Sequence, residues 1–418
     1  MTRSLMLACC LLAAGCTAPF GVRHRPPEAM HRALNANVLT TGELSNATDI
    51  MLRQHDLIEA YQGDPAGTLR LLNSELQRGA LRADDLAALA ELSFHYADHG
   101  GGKPQFLAAS LYAYAFLFPA DPRVAPDPLD PRLRETADLY SRSLTEAFRS
   151  ADGKQVEIAA GTYALPFGQL DVTFDDQQLR WGDRRLVKFS PAEELEVVGF
   201  RNRYRQPGIG APLAAATKPL APIDPAQPFV VGPHVRVPVT LLLRVPDPRQ
   251  QIRGTQLTAL LELHPATVAM STEIDERTVA LAQEPTAALA LALNESQPWS
   301  AELASFLGQV LQTPVLTGKL GGLEPHRQGR IPIVLVHGTA SNFSVWANMV
   351  NDLSTDPVLR EHFEFWLFGY DSGQPILYSA MQLRRALKDT VAAFQAADPD
   401  PCLDRMVVIG HSQGGLLT

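Results

Sequence analysis

"RMVVIGHSQGG", Arg405–Gly415, carries the most structural information in the chain. Met406–Ile409 is an unbroken apolar run, which suits a strand buried on both faces. It ends in Gly410-His411-Ser412-Gln413-Gly414, the pattern G-x-S-x-G. A serine at a sharp strand-to-helix turn is held in a strained conformation with its hydroxyl exposed above the sheet. Bulky side chains two residues to either side would collide with the turn, so Gly410 and Gly414 suit those places. The N–H groups that open the next helix point at charge developing on an oxygen nearby. By itself the pattern also arises by chance in glycine-bearing loops, so its surroundings decide.

Working outward, "IPIVLVHG" (Ile331–Gly338) is a second continuous apolar run, ending in His337-Gly338 roughly 70 residues upstream of the serine. "NFSVWANMVNDLSTD" has helical spacing, "FEFWLFGYDSG" is a further apolar strand, and "LYSAMQLRRALKDTVAAFQAAD" is a long amphipathic helix. The order strand-helix-strand-helix-strand predicts a parallel, doubly wound sheet.

This combination resembles the α/β-hydrolase family over about residues 331–418. The resemblance implies that Ser412 is a nucleophile. It implies that the backbone N–H groups of Gln413 and Thr339 form the oxyanion hole, with Gly338, Gly410 and Gly414 as motif glycines. His337 then shapes its loop and is not the base. His411, next to the serine in sequence, points elsewhere. His362 reads as a polar loop residue, and Asp371 as a turn residue in preference to the triad acid. The family's chain order is Ser, then Asp or Glu, then His. No Asp, Glu or His follows Ser412, so the expectation is a fragment that lacks the triad acid and base.

The rest of the chain is of other kinds. Its 418 residues suggest two or three domains. Residues 43–150 read as a helical module. "DDLAALAELSFHYADHGG" and "KPQFLAASLYAYAFLFP" have i, i+3, i+4 apolar spacing between Gly and Pro breakers. They resemble tetratricopeptide-type hairpins; a generic helical bundle fits equally. The aromatic stripe Phe94, Tyr96, Tyr112, Tyr114 and Phe116 reads as core, with a groove for a protein partner as the alternative. Residues 151–320 read as a β-rich module from runs such as "VRVPVTLLLRVPD" and "TQLTALLELH". "AELASFLGQVLQ" (301–312) reads as a helix leading onward to the partial hydrolase domain, 321–418.

The N-terminus speaks to location. "MTRSLMLACCLLAAGCTAP" has Arg3, ten apolar residues from Leu5 to Ala14, and then Gly15-Cys16. A spanning helix needs roughly 20 apolar residues, so the stretch suits a secretory signal instead. Its end resembles a bacterial lipoprotein signal, with Leu12 one place earlier than usual. The resemblance implies a signal at 1–15, lipidation of Cys16, a polar tether at 16–42, and an envelope location. Thr17 in place of Asp points to the outer membrane. An ordinary cleaved signal or an uncleaved anchor are the alternatives. Of four cysteines, Cys9 and Cys10 leave with the signal and Cys16 takes lipid. Cys402 then has no partner for an internal disulfide.

A net charge of −9 argues against nucleic acid. No Cys/His cluster has metal spacing, "HExxH" and "GxxxxGK[ST]" are absent, and no cofactor is expected. Together these features point to a membrane-tethered serine esterase or lipase acting on an ester or lipid. The same half-site serves acyltransferases, thioesterases and amidases. The alternative is a lipoprotein scaffold with a non-catalytic hydrolase domain.

Overall fold

The computed structural model describes residues 21–79, 82–296, 318–339, 341 and 343–418. Cys16 and the stretch 301–312 lie outside the described residues. Helices occupy the N-terminal part, and mixed sheets dominate the middle and C-terminal parts.

The helical part comprises α1 (Pro27–Leu34), α2 (Asn46–Gln54), α3 (Ile58–Gly63), α4 (Pro65–Arg78), α5 (Ala83–Tyr96), α6 (Lys103–Leu117) and α7 (Arg132–Ala147). Pro104 sits in the first turn of α6, where its missing N–H costs nothing. Every residue from Gln105 to Leu117 is buried, as expected of a helix that is apolar all round. Most of the aromatic stripe is core: Phe94, Tyr112, Tyr114 and Phe116 are buried, and only Tyr96 keeps partial exposure. Glu91 of α5, 1% exposed, accepts the N–H groups of Val38 and Ser45 and the hydroxyls of Ser45 and Thr48. Four donors offset the cost of burying that carboxylate and tie down the start of α2. In the 16–42 segment, expected as a polar tether, α1 buries no residue, whereas Val38 is buried and held by Glu91.

Next come β1 (Gly161–Leu165), β2 (Gly168–Phe174), β3 (Arg180–Trp181), β4 (Arg184–Pro191), β5 (Ala211–Pro219), β6 (Phe229–Val231), β7 (Arg236–Arg244), β8 (Gln256–Pro265), β9 (Ser271–Ile274) and β10 (Arg277–Ala280). Seven of these form one sheet in the order β1-β2-β8-β7-β5-β4-β3. The helices pack on it. Tyr140 of α7 donates to the carbonyl of Leu243 and accepts from its N–H, both at 2.8 Å.

The C-terminal part contains α8 (Pro285–Ser296), β11 (Lys319–Gly322), β12 (Ile331–Val336), α9 (Ala347–Thr355), α10 (Pro357–His362), β13 (Phe363–Gly369), α11 (Ile376–Ala397), β14 (Val407–Gly410) and α12 (Gln413–Leu417). Its sheet runs β14-β12-β13-β11-β6, with β12 parallel to both β13 and β14. β11 runs antiparallel to β13, and β6 pairs with β11. The expected boundary at 320 therefore does not separate two sheets, because β6 crosses from the middle segment to edge the last one. Successive residues of β12 face opposite layers. Val334 and Val336 pack with Leu383 and Ala386 of α11. Ile333 and Leu335 pack with Val350 of α9. Helices on both faces explain why "IPIVLV" has no polar position.

Candidate active site

The parallel strands end together. Val336 lies opposite Gly410 in the β12–β14 register, and the N–H of His411 donates to the carbonyl of Val336 at 3.0 Å. Both loops thus emerge at the carboxyl edge of the sheet, where open α/β sheets bind ligands.

Ser412 caps α12 with φ 55° and ψ −120°. That positive φ is a strained place for a side-chain-bearing residue and costs about 1–3 kcal/mol. Three glycines make room for it. A Cβ on Gly410 would stand 2.5 Å from the backbone of Gly414, and one on Gly414 would stand 2.2 Å from the carbonyl of Val336. A Cβ on Gly338 would meet the Ser412 Cβ at 2.9 Å. The turn is held by the N–H of Gly414 on the His411 carbonyl and that of Gly415 on the Ser412 carbonyl, each at 2.9 Å. Ser412 itself is exposed.

Thr339 follows His337-Gly338 in the neighbouring loop, and Gln413 follows the serine. The structure brings these two together through their side chains. The Thr339 hydroxyl donates to Oε1 of Gln413 at 2.5 Å, and Nε2 of Gln413 donates to the Ser372 carbonyl at 3.3 Å. The Gln413 side chain, 9% exposed, therefore joins the loops after β12 and β13 to the serine turn. Sequence reasoning used only its N–H and missed this brace. The available signal was a polar residue inside the glycine turn, beside the motif serine.

The histidines and Asp371 fall as follows. His337 is 7% exposed, and its ring stacks on Tyr370 at 4.5 Å. Its Nδ1 bonds the Gly338 carbonyl at 3.0 Å, and the Tyr370 hydroxyl donates to the His337 carbonyl at 2.8 Å. Burial lowers the His337 pKa, and burial pushes the Tyr370 hydroxyl up to about 12. A neutral imidazole pinned in this way shapes a loop. His411 is exposed and meets the edge of Trp346. His362 ends α10 and bonds the Val358 carbonyl at 2.9 Å. Asp371 accepts the Gly373 N–H at 2.9 Å, closing a turn. Among the described residues, no imidazole or carboxylate hydrogen-bonds the Ser412 hydroxyl, and no group of three His, Cys, Asp or Glu is placed to hold a metal. Also among the described residues, no helix is long and apolar enough to cross a membrane.

The arrangement is chemically one-sided. It presents a hydroxyl and a cradle of backbone around it. Among the described residues it does not present a proton acceptor for that hydroxyl. No protein-family model, curated protein or solved structure matches the chain.

Proposed function

We propose that the protein is a serine hydrolase of the α/β-hydrolase kind, an esterase or lipase tethered to the cell envelope through Cys16. The observation that carries this reading is the Ser412 backbone. A non-glycine residue at φ 55° between a parallel strand and a helix, fenced by Gly410 and Gly414, is strain held in place for a reason.

In this reading Ser412 Oγ attacks an ester carbonyl, and the oxyanion is held by the N–H groups of Gln413 and Thr339. The C–O bond to the alcohol breaks, and the alcohol leaves with the proton first taken from the serine. Water then attacks the acyl-enzyme and returns the hydroxyl. A histidine base held by a carboxylate moves these protons in the family. The residues after Ser412 in this chain include neither.

The scaffold reading is supported by the absence of a base at Ser412 among the described residues. A fluorophosphonate probe separates the two. The natural protein should be labelled at Ser412 and lose labelling in Ser412→Ala, with ester turnover falling by about four orders of magnitude. Labelling that persists in the alanine variant, or no labelling of the natural protein, removes the hydrolase reading.

A further inference from the structure

A cavity of about 430 Å³ lies between α4, α5, α6 and the turn joining β1 to β2, a volume ordinary for ligand pockets. Its wall includes Asn73, Ser93, Tyr96, Gln105, Tyr112 and Phe167. Tyr112, 3% exposed, donates to Oδ1 of Asn73 at 2.8 Å. That bond leaves the Asn73 amino group without a partner among the described residues. Gln105 goes further. It is 8% exposed, it lines the cavity, and its carboxamide hydrogen-bonds no described residue. The Asn73 amino group and the Gln105 carboxamide thus offer hydrogen-bonding atoms without a described partner on one cavity wall, within helices whose other buried positions are mostly apolar.

The backbone beside them is unusual too. Residues Ala97–Gly101 form a kinked, non-helical turn between α5 and α6, with Gly100 at φ 116° and Gly102 at φ 72°. A Cβ on Gly101 would lie 2.8 Å from the Tyr96 ring and 2.9 Å from Cγ of Gln105. Only glycine lets that ring and that amide close on the same point of backbone. The turn therefore sets an aromatic face beside a free carboxamide.

We propose that this cavity binds a neutral sugar of one or two rings. A carboxamide offers two donors and an acceptor, which matches neighbouring hydroxyls that both give and take hydrogen bonds. The aromatic faces of Tyr96 and Phe167 suit the apolar C–H face of a pyranose. The wall holds no carboxylate, and its one charged side chain, Arg70, is exposed. That charge pattern favours a neutral ligand over a cation or a polyanion. The site is independent of Ser412.

The test uses the full chain with glucose, galactose and N-acetylglucosamine, followed by saturation-transfer NMR and calorimetry. At least one sugar should receive saturation on its ring protons. Gln105→Leu, which removes the amide but keeps its bulk, and Tyr96→Ala should each weaken that sugar at least tenfold. Ser412→Ala should leave it unchanged. Amide shifts in the unmutated chain should map to residues 96–105, a readout that stands even where a variant folds poorly. The proposal is overturned by no transfer to any of the three sugars, by shifts confined to other residues, or by a short peptide that displaces the sugar at lower concentration.

Discussion

The Thr339 hydroxyl donates to the side-chain carbonyl of Gln413, so the two residues assigned to the oxyanion cradle, one from each loop, are tied to each other. Position matters there because an oxyanion donor acts only at hydrogen-bonding distance from the reacting oxygen. Thr339→Val and Gln413→Leu should each slow labelling of Ser412 by about tenfold to a hundredfold, with KM for an ester little changed. The double variant should lose little beyond the worse single one, because both remove the same bond. Wild-type labelling rates in both singles would show that the brace does not position the cradle.

The turn glycines are not equivalent, and stability should sort them. Ala at Gly410 or Gly414 forces a Cβ against backbone that cannot move aside. Each should cost at least about 1–3 kcal/mol in denaturant unfolding. Gly415 has the Gly410 carbonyl no closer than 3.7 Å to its ideal Cβ and lies within α12. Gly415→Ala should be neutral or stabilising by up to about 1 kcal/mol. Equal destabilisation at all three positions would contradict this packing.

Ser412 offers a comparison between strain and chemistry. Glycine accepts φ 55° and ψ −120° readily, whereas alanine keeps the serine's strain. Ser412→Gly should therefore be more stable than Ser412→Ala by about 1 kcal/mol, while both lose probe labelling. A glycine variant less stable than the alanine variant would mean that the turn is relaxed and that the conformation carries no functional signal.

The strands and helices that carry this turn were legible because each has a period or an apolar run of its own. "IPIVLV" and "FEFWLF" are mostly apolar since layers cover both faces, and the serine pattern follows a third such run. The pairing of β6 with β11 was not legible. "FVV" and "KLGG" are too short to show alternation, and the partners lie far apart along the chain. Glu91 and the side chain of Gln413 were also missed. Their importance lies in which groups reach them, and those come from segments distant in sequence or from another loop. Gln105 was not singled out, because one polar residue in an apolar helix gives no sign in sequence that it lines a cavity.

Location has its own test. Cys16 in "LLAAGCTAP" should carry acyl chains in the mature protein, which should partition with membranes. One chain gives only marginal binding, so firm association calls for more than one. Cys16→Ser should accumulate as unprocessed precursor. Mass spectrometry that finds an unmodified N-terminus beyond residue 16 would exclude the anchor.

The stacked pair His337–Tyr370 should make stability depend on pH at both ends. Burial lowers the His337 pKa below its unfolded value of about 6.5. Between the folded value and about 6.5 the unfolded chain binds more protons, so stability rises with pH through that window and is lost as pH falls below about 6.5. Tyr370 shifts the other way, from about 10 unfolded to about 12 folded. There the native state holds the proton more tightly, and stability falls as pH rises from about 10 toward about 12. The same proton makes the bond to the His337 carbonyl. Denaturant midpoints measured across pH should therefore separate two variants. His337→Asn should flatten the acid side relative to the natural chain, since the carboxylates common to both cancel in the difference. Tyr370→Phe should flatten the alkaline side, at a cost near neutrality of about 1 kcal/mol for the lost hydrogen bond. An acid limb in His337→Asn parallel to that of the natural chain would show that the imidazole is not held neutral by burial, and its assignment as a loop-shaping residue would then fail.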